Sequence, residues 1–261
     1  MPPLSRTTGR DGKRFYTWRN TNFWSVTTII NGGIPKPALI YWAANEVAAF
    51  SCNNLATISD LLANDERDAA YDLLKRAPWR KKEKAADIGT LVHDWIEADR
   101  LGKPMPTVPD PVQPYLASFR KFVEDFSPEY EATEASVFNA KERYAGTLDA
   151  IVTLTLPLKP GRDRYVLDAK SGKGVYPEVG LQLAAYRHAE FIGAPDGSEQ
   201  PMPETIGGLA LHLTPEGYRL IEVDTSEQVF ASFLYAREVY RFMLEISKTV
   251  LGAEYRSGEL D

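Results

Sequence analysis

The period of hydrophobic and polar positions changes near residue 130, and the chain divides there. Ahead of that point SVTTII leads to the breaker GGIPKP, and the Ala-rich stretch from Ala38 to about Ser51 predicts a helix begun just after Pro37. TISDLLANDERDAAYDLLKR and KKEKAADIGTLVHDWIEADRLG predict further helical segments, the latter ending at Gly102 before Pro104. Pro104, Pro106, Pro109, Pro111 and Pro114 mark a loop that leads into a helix over QPYLASFRKFVEDF. From about Tyr130, YEATEASVF, YAGTLDAIVTLTL and DRYVLDAK are rich in Val, Thr, Tyr and Leu and predict three strands, separated by the turn segments NAKER and PLKPGRD. A helix from Pro177 to about Ile192 follows, then a hairpin of ETIGGLALHLT and YRLIEVD turned at Gly217, and a closing helix from about Ser226 to Val250. At the start, TGRDGKRFYTW predicts a small hairpin turned at Asp11-Gly12 that caps the fold. With no internal repeat and no low-complexity linker, 1–261 reads as a single domain: a mainly helical part over 1–127 and a mixed sheet core over 128–261.

Composition narrows the class. At 44% hydrophobic and 25% charged residues over 261 positions the chain can bury a sizeable core, which excludes general disorder. The single cysteine, Cys52, excludes a disulfide framework, a zinc ribbon and an iron–sulfur cluster held by this chain's cysteines, and it suggests a reducing compartment. No window approaches an apolar membrane span and MPPLSRTTGRDGK has no apolar core of a secretion signal, so a cytoplasmic protein without a membrane partner is expected. The net charge of −6 is unevenly spread. Basic side chains gather at Arg6, Arg10, Lys13, Arg14 and Arg19 and again at Lys75, Arg76, Arg80, Lys81, Lys82 and Lys84, whereas 221–261 holds eight acids and four bases; a positive and a negative side are expected.

The chemistry gathers in VLDAKSGKG. Residues two apart on a strand share a face, so Asp168 and Lys170 project together. Asp149, in YAGTLDAIV, precedes Asp168 by 19 residues, enough for two adjacent antiparallel strands and their turn, so two acids and a lysine converge. Carboxylates among Val and Ile are costly to bury unless partnered or ligating. Two aspartates with a backbone carbonyl make an oxygen site suited to Mg²⁺ or Mn²⁺. Such an ion polarises a phosphate and activates water, while a lysine holds the nucleophile and offsets developing charge, which points to phosphodiester hydrolysis. His93 and Glu97 lie i,i+4 on one helical face, Glu134 lies on the first strand, and Gln182 and Tyr186 share a face of the helix after DAK.

As an ordered set, from about Ile88 to Tyr186, these motifs resemble the RecB-like branch of the PD-(D/E)XK nucleases. The resemblance implies an α/β restriction-endonuclease-like fold, with a mixed central sheet flanked by helices. Carried over by residue, it implies metal binding by His93, Asp149, Asp168 and the Ala169 carbonyl, with Glu134 an additional candidate, catalysis by Lys170, and orientation of site and substrate by Gln182 and Tyr186. IPKPALIYWAANEVA resembles small RecB-like exonucleases encoded by bacteriophages, which would place the protein in a bacterial host cytosol. Iron–sulfur relatives use cysteines that this chain lacks, and no P-loop pattern is present for an unwinding motor.

The expectation is therefore a Mg²⁺- or Mn²⁺-dependent exonuclease on linear single- or double-stranded DNA, acting in recombination, repair or degradation beside a recombinase, a single-strand-annealing protein or a helicase. A structure- or sequence-specific endonuclease of the same fold and a non-catalytic DNA-end-binding accessory protein stay open, as does the oligomeric state. Arg80, Lys81, Lys82 and Lys173 are candidate phosphate contacts and Trp79 a candidate base-stacking ring, the alternative being that Trp79 is core and the lysines are solubilising. His188 and His212 have no partner pattern and read as structural.

Overall fold

The computed structural model describes residues 4–9 and 14–256, with backbone alone along 81–86. The chain runs β1 (Leu4–Thr8), β2 (Arg14–Trp18), β3 (Thr21–Ser25), α1 (Val26–Gly33), α2 (Pro37–Asn53), α3 (Leu55–Ala63), α4 (Arg67–Lys75), α5 (Ala77–Leu101) and α6 (Gln113–Phe126). It continues through β4 (Glu129–Asn139), β5 (Tyr144–Thr155), β6 (Arg162–Lys170), α7 (Glu178–Arg187), β7 (Phe191–Gly193), β8 (Glu199–Pro201), β9 (Gly207–Thr214), β10 (Gly217–Val223) and α8 (Glu227–Leu244). The expected α/β class with a mixed sheet flanked by helices is what forms. β4, β5 and β6 are antiparallel neighbours, while β6 pairs β9 and β3 pairs β5 in parallel.

Two apolar layers hold helices to the two faces of this sheet. On one, Tyr144, Leu148 and Val166 pack against Ile29 of α1, Leu183 and Tyr186 of α7 and Phe233 of α8. On the other, Val152, Leu154 and Leu211 pack against Val92 and Trp95 of α5 and Leu116, Phe119 and Phe122 of α6. Full burial of side chains of this size contributes about 1.5–3 kcal/mol each, so the layers fix where α5 and α7 stand. α5 stops at Gly102, whose φ of 62° is the left-handed cap conformation that Gly adopts without a Cβ penalty. Among the described residues no helix is long and apolar enough to cross a membrane.

Several expectations are corrected. Strands β1 and β2 are not a separate cap: with β3 they extend the central sheet, because Trp24 and Ser25 pair with Tyr144 and Ala145 of β5. Tyr16, Trp18 and Phe23 then bury around Phe138 as a third apolar cluster. The Asp11-Gly12 turn lies outside the described residues. The segment 57–76 divides into α3 and α4 at Asp65, whose φ is 63°. α5 begins at Ala77 with Pro78 in its first turn, where a missing N–H costs nothing.

The helix expected to reach Ile192 ends at Arg187. Phe191 and Ile192 instead pair with Phe138 and Val137, and the Phe191 ring stacks on Phe138 with centroids 5.3 Å apart. The last helix ends at Leu244, and Ile246–Lys248 form a 3₁₀ turn.

Candidate metal centre and active site

The site lies where the sheet forks. One edge of β5 pairs with β3 at Tyr144 and Ala145 and with β6 only from Ala150 onward, so among the described residues Gly146 to Asp149 have no ladder partner on that edge. β6 turns instead toward β9, which pairs with Asp168, Ala169 and Lys170. The fork is spanned by Asp149, whose Oδ2 accepts the Ala169 N–H at 2.8 Å. The ladder is distorted here. Leu148 and Ile151 reach the same apolar layer though three residues apart, and Glu134, bracketed with Asp149 by the pairs Thr133 with Ala150 and Ala135 with Leu148, has a φ of 50°. For a residue with a Cβ that conformation costs about 1–2 kcal/mol, strain of the kind retained where it aims a functional group.

Asp168 is 1% exposed. Its Oδ1 accepts hydrogen bonds from Gln182 Nε2 at 2.8 Å and Lys170 Nζ at 2.9 Å. Lys170 Nζ also lies 2.7 Å from Oδ2, but off the line of a hydrogen bond, so this buried oxygen has no donor. Gln182 Nε2 is 3.4 Å from the Tyr186 hydroxyl, and the Tyr186 ring fills the space over Gly146, where a Cβ would come within 2.5 Å of it.

On the opposite wall His93, from α5, places Nε2 3.0 Å from the Ala169 carbonyl. A carbonyl only accepts, so Nε2 is the donor in this bond, and Nδ1 lies 3.6 Å from Asp149 Oδ2. His93, Glu134 and Asp149 each offer a ligand atom, and all three atoms lie within 4.8 Å of one another. Of the expected set, Glu134 lies directly with His93 and Asp149, Asp168 lines the same cavity, and the Ala169 carbonyl faces the His93 ring.

Charge follows from burial. Desolvation, reinforced by Asp149, pushes Asp168 up to about 6. Desolvation and then Asp149 likewise push Glu134 up to about 7. Burial works to lower Lys170, but the attraction of Asp168 and Asp149 outweighs it and its pKa is raised, so it is a cation at neutral pH. A buried oxygen without a hydrogen-bond donor, two carboxylates whose pKa values burial raises, and an imidazole beside a carboxylate make an oxygen-rich donor set that fits a hard divalent cation.

The cavity around this cluster measures about 460 Å³. Arg6 of β1 and Arg14 of β2 line it, as do Tyr16, whose hydroxyl lies 2.9 Å from the Thr147 hydroxyl, and Glu97. Arg6 and Arg14 stood out in the sequence only as part of a basic run. Their place depends on β3 joining β5, a pairing that no local pattern announces.

The other expected residues lie elsewhere. Arg80 donates to the Leu73 carbonyl at 2.8 Å and sits 5.0 Å from the centroid of the Phe50 ring, 13 residues before His93 on α5 and so roughly 20 Å along the helix. Trp79 is 57% exposed rather than core, beside an apolar groove with Leu39, Trp42 and Val47. The side chains of Lys81 and Lys82 lie outside the described residues. Lys173 is exposed in the loop after β6, and the Gly172 carbonyl there accepts from His212 Nε2 at 2.7 Å. The His212 Nδ1 accepts from Arg219 at 2.9 Å, and His188 stacks on Phe230 with centroids 4.4 Å apart, so both rings have structural partners.

No family model and no curated protein matches this chain. A solved structure described as "Crystal structure of SSO0001" is similar at 15% identity over 72% of this chain and 71% of that one, with a TM-score of 0.32, a likeness too slight to carry an argument.

Proposed function

We propose that this chain is a metal-dependent deoxyribonuclease of the restriction-endonuclease-like type its motifs resemble, an exonuclease that hydrolyses phosphodiester bonds of linear DNA. The observation that carries the reading is the sheet fork, where Asp149, Asp168 with its donorless oxygen, Lys170 and His93 converge in one cavity. His93, Asp149, Asp168 and Glu134, with the second lone pair of the Ala169 carbonyl, would hold Mg²⁺ or Mn²⁺. When bound, the ion supplies polarisation of the scissile phosphate and a water of lowered pKa.

The chain's own groups supply the rest. Lys170, kept charged by its carboxylate neighbours, donates from Nζ to the attacking water or to a non-bridging phosphate oxygen and offsets the charge that grows in the transition state. Gln182 fixes Asp168 through Oδ1 and leaves Oδ2 turned to its task. Arg6 and Arg14, in the lining of the same cavity, neutralise phosphates as a strand enters. In the proposed setting a recombinase, a single-strand-annealing protein or a helicase works on the same DNA.

The test is purified protein on 5′- and 3′-labelled linear DNA, single and double stranded, beside a covalently closed circle, with Mn²⁺ or with EDTA. Loss of linear DNA only, and only with Mn²⁺, is the expected outcome. Cutting of the circle would replace the exonuclease by an endonuclease, and metal-independent binding without product would leave a DNA-end-binding protein.

A further inference from the structure

Beside the acidic cavity lies a second, of about 200 Å³, and the two share Thr27, Lys170 and Gln182 as a common wall. Its chemistry is different. Ile30, Val175 and Val179 give it apolar sides, and Lys36, Asn31 and Tyr176 stand around it. Lys36 comes from the IPKP segment between α1 and α2, which the acidic site does not use. Prolines on both sides of Lys36 restrict the backbone that presents it, and its Nζ donates to Asn31 Oδ1 at 2.8 Å. The Tyr176 ring is 64% exposed at the edge of the cavity, in the loop between β6 and α7.

We propose that this second cavity is a nucleotide subsite, which takes the nucleoside phosphate adjoining the phosphodiester bond at Asp168 and Lys170. A chain lying across the shared wall has one phosphate over the acidic cluster and its next unit in this cavity. There Lys36 meets the phosphate as a point charge, the apolar sides cover the sugar, and the base stacks on Tyr176. Glu178, on the same lining, accepts from a base amino group or sugar hydroxyl and stays away from the phosphate. The order of the two sites rests on the nuclease reading; the ligand chemistry of the subsite does not.

The test is calorimetric titration of thymidine 5′-monophosphate into the full, metal-free chain, with inorganic phosphate as comparison. Saturable nucleotide binding is expected in the wild type. It should weaken about tenfold in Lys36→Glu, for a lost charge-assisted contact, and by about as much in Tyr176→Ala, for lost stacking. Lys36→Glu and Tyr176→Ala should keep the wild-type thermal midpoint, since both side chains lie at the surface of the cavity. Absence of binding at millimolar nucleotide, equal affinity in Lys36→Glu, or inorganic phosphate binding as tightly as the nucleotide with Tyr176→Ala silent would each overturn the subsite. DNA cleavage measured in parallel separates the two ideas. A cleaving protein that binds no nucleotide loses only the subsite, whereas Lys36-dependent nucleotide binding in a protein that never cleaves removes the nuclease and keeps the subsite.

Discussion

Asp168→Asn is expected to lower DNA cleavage by about 10³-fold or more, on the scale of removing a group that places transition-state charge stabilisation in a water-poor site. The change is isosteric and keeps the oxygen that accepts from Gln182. It removes the negative charge on the buried oxygen that has no donor. Metal-free stability at pH 7 should fall, because Lys170 loses its buried counter-ion and relief of the buried carboxylate offsets only part of that loss. The pH dependence gives the sign. With the folded carboxyl raised to about 6 against a model value of 3.8, the folded state holds the proton longer than the unfolded chain. Its stabilising contribution is full below the unfolded pKa and is lost as pH rises through about 6. The stability of metal-free wild type minus that of Asp168→Asn, from denaturant melts between pH 4 and 7.5, should therefore fall with rising pH. A variant that cleaves at the wild-type rate would remove Asp168 from the chemistry, and a stability difference flat with pH would remove the account of its burial.

The second large effect is on the fold. Gly33, the last residue of α1, packs so closely on α8 that a Cβ would lie 2.1 Å from the Ala236 carbonyl oxygen and 2.7 Å from its carbon. Both are backbone atoms, so Gly33→Ala can be accommodated only by moving one helix. Overpacking of this kind costs about 3 kcal/mol, which for a domain of this size lowers the thermal midpoint by about 10 °C. At neighbouring Gly32 a Cβ meets the buried Tyr240 ring at 2.4 Å, so Gly32→Ala should destabilise as well. Gly172→Ala provides the contrast: with nothing within 4 Å of the new Cβ, it should be near neutral. An unchanged midpoint for Gly33→Ala in a thermal melt would mean that α1 and α8 stand further apart. The position matters for function because α1 carries Thr27 and Asn31 to the two cavities.

What could be read from the sequence was local. Asp168 and Lys170 are two apart on one strand, Gln182 and Tyr186 four apart on one helix, and Asp149 sits on the strand before β6, so spacing and one hairpin bring them together. His93 joins them because the apolar positions of α5, Val92 and Trp95 among them, turn it toward the sheet. What was illegible depended on distant pairing. Arg6, Arg14 and Tyr16 reach the cavity because residues 24–25 pair with 144–145, and nothing near Trp24 marks that partner. Phe191 and Ile192 suit a helix end as well as a strand, and only the exposed edge of β4 at Val137 and Phe138 decides for the strand. Arg80, in the basic run at the start of α5, stands 13 residues ahead of His93 on the same helix and donates to the Leu73 carbonyl.

One divalent ion is expected at the fork between β5 and β6, and a crystal grown with Mn²⁺ tests this by anomalous diffraction. The expected result is a peak within coordination distance of His93, Asp149 and Asp168, lost in Asp168→Asn. A peak elsewhere, or none at saturating Mn²⁺, would contradict it.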